Sequence, residues 1–458
     1  MQPLALVWVA SGRDTSCTPK GSKPTEGRGL YTPQRLFGEV GSSTDVLGHE
    51  PFLERARLQR EQEQDGSARL ALGAYVVARL VDRLLTLDYD PGAMQGFQWQ
   101  LDAVRRHVSE LPLDAPETAH LRGVVEAIST EGQATPGLWK GLTAYAYYLE
   151  HEGRLEESLE ILTLAVRAQG PQTSASEFAS YALVAGRLNR QLARWDSATS
   201  CYGAAEEAAT SIQDHVAALR GRLGRGAVCR GLGNLPMARE IAEAVARDAT
   251  ELQLPGVQAL ACADLGAVYA LQGLRLEELQ ANYTAFRLTP DPIQRMRTLG
   301  DLAIGLYRIG ALQAARTAFG IVINSDASFV VRTNALLELM DMESAAGNRV
   351  AFERCRNLIE TGRSSLAPSV ATDYQYKLGT GFARFGQLHR AQDALKVGLQ
   401  LAERHRLNAW YFKMQTALAE VAEQREQVAA PPASPLSEAP EVLEMELGLQ
   451  EYAATAAF

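Results

Sequence analysis

Residues 378–391 read LGTGFARFGQLHRA. Leu378, Phe382 and Phe385 recur at helical spacing, so the first part is one face of an amphipathic helix. Gly386 ends it. A chain that reverses after a helix often needs φ > 0, which glycine adopts without a Cβ clash. Leu388 follows two residues later and Ala391 three after that. A large apolar residue at the first position plugs the gap between two helices of a pair. A small one at the second lets their backbones approach. The stretch reads as helix, tight turn, helix.

The same pattern recurs along the chain. The turn slots are Gly153, Ala193, Gly233, Gly273, Gly310, Gly347 and Gly386, with successive spacings of 40, 40, 40, 37, 37 and 39 residues (193−153 through 386−347). The plug two residues on is Leu155, Trp195, Leu235, Leu312 or Leu388, and the small residue is Ser158, Ala198, Ala238, Ala315 or Ala391. Near Gly347 the pattern degenerates and the small residue reads as displaced to Ala351. One such pair cannot bury both of its faces, but a stack of several makes a continuous core.

Leu378-Gly379-x2-Phe382-x3-Gly386-x-Leu388-x2-Ala391 resembles the tetratricopeptide repeat (TPR) pattern of Leu-Gly, an aromatic, then Gly, Leu and Ala at set distances. Leu265-Gly266-x2-Tyr269-x3-Gly273 is similar, as is Leu302-Ala303-x2-Leu306-x3-Gly310-x-Leu312-x2-Ala315 followed by Phe319. Tyr145-Ala146-x2-Leu149-x3-Gly153-x-Leu155-x2-Ser158 opens the series. The period exceeds the family's usual value of about 34, as in the longer-repeat arrays of some bacterial regulators. The resemblance covers residues 138–405. It implies an all-α fold: a right-handed α–α superhelix (TPR-like solenoid) of about seven helix–turn–helix repeats with an N-terminal helical cap.

The flanks divide the rest. Residues 1–49, rich in Gly, Ser, Thr and Pro, read as a disordered leader. Residues 50–131 read as a helical capping region, with helices over 68–87, 93–110 and 116–130 and a break at Asp88-Tyr89-Asp90-Pro91-Gly92. The solenoid spans 132–427, closed by a helix over 407–427. Residues 428–458 combine a linker containing Pro431, Pro432 and Pro435 with a short acidic tail helix over 438–456. The tail's apolar residues are mixed around its wheel.

Composition agrees with packed helices: 46% hydrophobic, 22% charged and only 7% aromatic. At 458 residues the chain exceeds a single compact core of about 250–300 residues, but a solenoid grows lengthwise. The net charge of −9 argues against general nucleic-acid binding, which needs a basic footprint. No run reaches the roughly 18 apolar residues that span a bilayer. Five dispersed cysteines without a CxxC pair suit reduced thiols and a cytoplasmic location. An exported lipoprotein is the alternative, because Cys17 follows Asp14-Thr15-Ser16 after a short apolar run. The acidic residue stands where an aliphatic one belongs.

Catalytic constellations are not legible. There is no GxSxG, HExxH or EF-hand loop. Gly132 to Gly137 has phosphate-loop glycine spacing, but Leu138-Trp139 stands where Lys-Ser/Thr must. Gly221-x2-Gly224-x-Gly226 lacks a preceding strand and reads as close helix packing. His151 and His389 read as solvated turn residues, and Cys229 and Cys262 as buried inert thiols. Neither a cofactor nor a metal is expected.

The resemblance places a concave groove along the first helix of each repeat. The family's groove positions fall on Lys140 and Tyr147 in repeat one, Arg187 and Arg190 in repeat two, Arg220 and Arg230 in repeat three, and Arg297 in repeat five. Arginine's fixed fork of donors suits carboxylates. The expectation is a non-enzymatic scaffold that binds a protein or peptide partner, such as an acidic peptide, in this groove. The bland alternative is a solvated face whose arginines pair with Asp214 or Glu206; Asp264 and Asp301 dilute the patch. The acidic tail is expected to dock intramolecularly on that same groove. The rivals are a peptide- or small-ligand-responsive regulator and, further off, an enzyme on a helical array.

Overall fold

The structure is a computed structural model. It describes residues 48–61, 65–87, 90–128, 136–170, 173–361, 366, 368–405, 407–422 and 438–455. Cys17 with nearly all of the leader, most of the Gly132–Gly137 loop and the linker prolines lie outside the described residues.

Twenty α-helices make up the described elements, in two compact units divided between Val228 and Cys229. The first unit contains α1 (Glu50–Glu61), α2 (Asp65–Leu85), α3 (Pro91–Ser109), α4 (Pro116–Glu126), α5 (Pro136–His151), α6 (Leu155–Gln169), α7 (Ala175–Gln191) and α8 (Trp195–Ser211). The division falls within α9 (His215–Gly231). The second unit continues with α10 (Leu235–Glu251), α11 (Pro255–Gln272), α12 (Arg275–Leu288), α13 (Pro292–Arg308), α14 (Leu312–Asn324) and α15 (Phe329–Ala345). It ends with α16 (Arg349–Glu360), α17 (Pro368–Arg384), α18 (Leu388–Arg404), α19 (Asn408–Ala422) and α20 (Pro440–Thr455).

Helix pairs α5/α6, α7/α8, α11/α12, α13/α14, α15/α16 and α17/α18 pack as hairpins. All seven turn slots have positive φ, from 56° at Ala193 to 83° at Gly310. In the second repeat Arg194 N donates to Asn189 O at 2.8 Å, closing the turn behind Ala193. A Cβ at Gly153, Gly233, Gly273, Gly347 or Gly386 would meet nothing within 4 Å, so backbone conformation alone selects glycine at these slots. Ala193 carries the left-handed strain of an L-residue, about 1 kcal/mol. Ala193→Gly is expected to raise unfolding free energy by roughly that amount, less glycine's own entropic cost. Gly233→Ala should lower it. Segment-resolved amide hydrogen exchange showing lower protection around α7 and α8 in the first variant, or higher protection around α9 and α10 in the second, would refute this account.

The small residues Ser158, Ala198, Ala238, Ala315 and Ala391 are all buried, and the plugs Leu155, Trp195, Leu235, Leu312 and Leu388 are half-buried. The sixth repeat departs from expectation. Ala351 is only half-buried, and Phe352 occupies the small-residue slot, fully enclosed. Its room comes from α17, where a Cβ on Gly381 would lie 2.4 Å from the Phe352 ring. The repeat is not degraded there; bulk has moved from one helix to the next. Close packing likewise explains the glycines of α9. A Cβ on Gly224 would lie 2.3 Å from the ring of Tyr202, and one on Gly221 2.9 Å from its carbonyl oxygen.

Ahead of the repeats, Asp90 accepts from Gly92 N and Ala93 N and Pro91 opens α3, which fixes the predicted break. Helices α1 and α2 both pack on α6, so the leading helices share one core with the first repeat. A buried charge cluster joins them. Glu117 on α4 accepts two hydrogen bonds from Arg55 at 2.9 and 3.1 Å, two from Arg154 at 2.9 and 3.0 Å, and one from the Tyr145 hydroxyl at 2.6 Å. Glu157 on α6 faces Arg55 Nε at 3.0 Å. Burial alone would raise Glu117, but the two guanidiniums outweigh it and hold the carboxyl at about 2. For Glu157 burial wins, with help from the Glu117 charge, and lifts its carboxyl to about 7 against Arg55 and Arg154.

These opposite shifts give a pH signature. Between the ordinary value of 4.5 and about 7, Glu157 binds more proton when folded than when unfolded, so its contribution is lost as pH rises through that window. Glu117 behaves oppositely, and its contribution is lost as pH falls from 4.5 toward 2. Glu157→Gln should therefore gain stability relative to wild type as pH increases from 4.5 to about 7, then level off. A difference between the two proteins that does not change with pH would contradict this.

Candidate functional site

The first helices of the pairs are α5, α7 and α9, then α11, α13, α15 and α17. Because a helix repeats every 3.6 residues, positions 3, 6, 9 and 13 before each turn slot recur on related turns of these helices.

In the first unit, Tyr147 on α5 is 47% exposed, and Lys140 is exposed with its ammonium 5.4 Å from the Trp139 ring centroid. Arg187 on α7 donates Nε and Nη2 to the two carboxylate oxygens of Glu150 on α5, at 2.6 and 2.7 Å. Those hydrogen bonds raise the Arg187 pKa further. Arg190 is half-buried, with a buried Nε that has no partner among the described residues. Arg220 on α9 is exposed and, among the described residues, has no ion-pair partner. Glu206 accepts from Arg222 at 3.2 Å and Arg225 at 2.9 Å, while Asp214 accepts from Ala217 N at the start of α9. The two carboxylates best placed in sequence to neutralise the patch are thus engaged by other groups.

In the second unit, Arg230 donates to Asp264 at 2.7 Å, and Arg297 is exposed. The surrounding protein lifts the Asp301 carboxyl to about 6, with Arg297 and Arg308 acting the other way. Asp264 and Asp301, which dilute the basic positions in the sequence, belong to a longer series. Asp264, Asp301 and Glu338 each stand nine residues before their slots (273−264, 310−301, 347−338). The same offset in the first unit holds Ala144, Val184 and Gly224. Buried Lys377 ties Glu338 at 2.6 Å to Asp373 at 2.9 Å, and Arg384 donates to Asp341 at 2.7 Å. Lys413 on α19 stands over the rings of Tyr376 at 4.0 Å and Trp410 at 4.4 Å. Burial lowers its pKa, while Asp373, Asp341 and Glu338 oppose that. The second unit's first helices are therefore stitched by ion pairs around an acidic row.

The tail helix docks, but not on first helices. Helix α20 packs against α12 and α14, the second helices of two neighbouring repeats. Val442, Met445 and Leu449 are buried, and Tyr452 meets Phe286 edge-on at 5.4 Å. These four residues form one apolar stripe, while Leu443 and Leu447 are exposed, so apolar residues lie on both sides of the helix, as its mixed sequence implies. An apolar stripe seats on an apolar surface, whereas the first-helix face is lined with charge.

Burial raises the Cys201 thiol to about 12 and the Cys355 thiol to about 11, and pushes Cys262 upward too. Such thiols are poor nucleophiles. His151 and His389 are exposed. Among the described residues no three His, Cys, Asp or Glu side chains converge on a metal-sized site, and no helix is long and apolar enough to cross a membrane.

No family model matches the chain. No curated protein matches it either. Among solved structures it is similar to a Rap protein complexed with Competence and Sporulation Factor, at 11% identity and a TM-score of 0.43, over 78% of this chain and 99% of that one. It is similar to the apo form of RapI at 9% identity and 0.41, over 58% and 98%. It is also similar to the apo form of the quorum sensor NprR from B. thuringiensis at 12% identity and 0.41, over 82% and 97%.

Proposed function

We propose that this chain is a non-enzymatic interaction protein that binds an acidic partner segment on the first-helix face of α5, α7 and α9. The observation that carries this reading is the state of the charges there. Arg220 is exposed and, among the described residues, has no ion-pair partner, Lys140 is exposed with Glu177 near it, and Glu206 and Asp214, close to Arg220 in sequence, are committed to other donors. A cation without an internal partner keeps its Coulomb attraction for an incoming carboxylate, and an arginine fork can hold that carboxylate with two bonds. Tyr147 adds an exposed aromatic surface between them in sequence. Arg187 and Arg190 frame the same face, Arg187 being oriented by Glu150. Arg230 and Arg297 belong to the second unit, where each stands beside an acidic residue. The reading needs neither cofactor nor metal.

The test is fluorescence anisotropy with a labelled short Asp/Glu peptide and its Asn/Gln counterpart. Wild type should bind the acidic peptide in a salt-sensitive way and the neutral one poorly. Lys140→Glu/Arg220→Glu should weaken acidic-peptide binding about tenfold or more, equivalent to about 1.4 kcal/mol. Equal binding by wild type and variant would rule this face out.

A further inference from the structure

The seat of α20 lies on second helices of the second unit. It is built by α12 and α14, whose Phe286, Phe319 and Val322 join Val442, Met445 and Leu449 in one core cluster. Gly448 lets the tail come close, since a Cβ there would meet the Tyr283 hydroxyl. Among the described residues no hydrogen bond or ion pair joins α20 to α12 or α14; its recorded side-chain bonds, from Thr455 to Glu451 and Tyr452, stay within the helix. The seat therefore recognises an apolar stripe at i, i+3, i+7 and i+10 around a small residue, and nothing in it depends on which chain supplies that stripe.

We propose that this seat also takes the α20 of a second copy of this chain, so that two copies exchange tails. Seventeen residues separate Ala422 from Pro440 (440−422−1), enough to reach at most roughly 60 Å. The contacts made in cis and in trans are the same, so their balance is set by effective concentration against real concentration. Reciprocal exchange closes with two-fold symmetry and leaves neither seat empty. The second copy is favoured over other helices because its tail is complementary to the seat by construction. Helix α20 carries Glu441, Glu444, Glu446 and Glu451 and no basic residue, so like charge discourages tail-on-tail pairing.

A complementation experiment removes the competition from the cis tail. One full-length copy carries Phe286→Ala in the seat; the other carries Met445→Asp/Leu449→Asp in the tail. Sedimentation velocity should show each variant alone as a monomer and their mixture as a one-to-one complex. A labelled peptide of residues 438–455 should bind the tail variant saturably, and the peptide bearing Leu449→Asp about tenfold or more weaker, corresponding to about 1.4 kcal/mol. Circular dichroism verifies that both proteins are folded; if the seat variant is not, wild type at rising concentration replaces it in the mixture. Peptide binding without recruitment of the seat-variant copy overturns the second copy as occupant. A folded tail variant that binds neither peptide nor partner copy overturns the exchangeable seat altogether.

Discussion

Glu117→Ala is expected to destabilise the first unit by about 3–5 kcal/mol, the usual consequence of removing one partner from a buried charge cluster. Glu117 is only 4% exposed and accepts from Arg55, Arg154 and Tyr145 at once. Without it, two guanidiniums stay in a site that water barely reaches, facing Glu157. The loss would come less from missing attraction than from charges left without enough counter-charge. Glu157 should then ionise more readily, because the repulsion from Glu117 that helps raise its carboxyl is gone. Glu117→Gln retains an acceptor and should cost less than alanine. Since the chain forms two compact units, a single melting curve is a poor readout. Amide hydrogen exchange resolved by segment is better: protection in α4, α5 and α6 should collapse while α15 to α18 stay as in wild type. A cost under about 1 kcal/mol, typical of exposed pairs, would mean that the cluster is solvated after all.

Phe352→Ala should destabilise the second unit by a similar amount, about 3–5 kcal/mol for a buried aromatic that leaves a cavity. Phe352 is fully buried and meets Phe382 and Phe385 edge-on, with ring centroids 5.7 and 5.3 Å away. The sharper test is its coupling to Gly381. In wild type, Gly381→Ala drives a methyl into the Phe352 ring and should cost about 1–3 kcal/mol, as overpacking does. With Phe352→Ala already present the obstruction is gone. The same change should then stabilise by about 0.5–1 kcal/mol, because alanine outranks glycine inside a helix. The effect of one substitution reverses sign with the other residue. Simple additivity in this cycle would show that the two side chains do not share the space between α16 and α17.

The repeats were legible because their signals are local. A slot that needs φ > 0, a plug two residues on and a small residue three further sit within six residues of chain. Even the acidic row of Asp264, Asp301 and Glu338 was open to reading, since it holds a constant offset of nine from the slots. Asp264 and Asp301 stand out in the sequence as acidic residues among the basic positions, and Glu338 joins them through the shared offset. The cluster at Glu117 was not legible. Its partners lie 62 residues before it, at Arg55, and 37 after it, at Arg154, and no periodicity links them. Glu278 makes the same point inside a repeat. It fills a small-residue slot with a carboxylate, which only its contacts with Arg275 at 2.9 Å and Arg308 at 3.0 Å make tolerable.

By itself, then, the sequence determined an all-α chain of paired helices, and where each pair turns. Those properties follow from backbone sterics and helical periodicity, which act over a few residues. Tertiary structure alone decided which charges on the first helices are held internally and which stay open, as Arg187 and Arg220 do respectively. It decided that Phe352 is accommodated by Gly381 and that the tail seats on second helices. Those outcomes depend on distances between residues far apart in the chain, where packing volume and charge pairing are settled only once the helices have met.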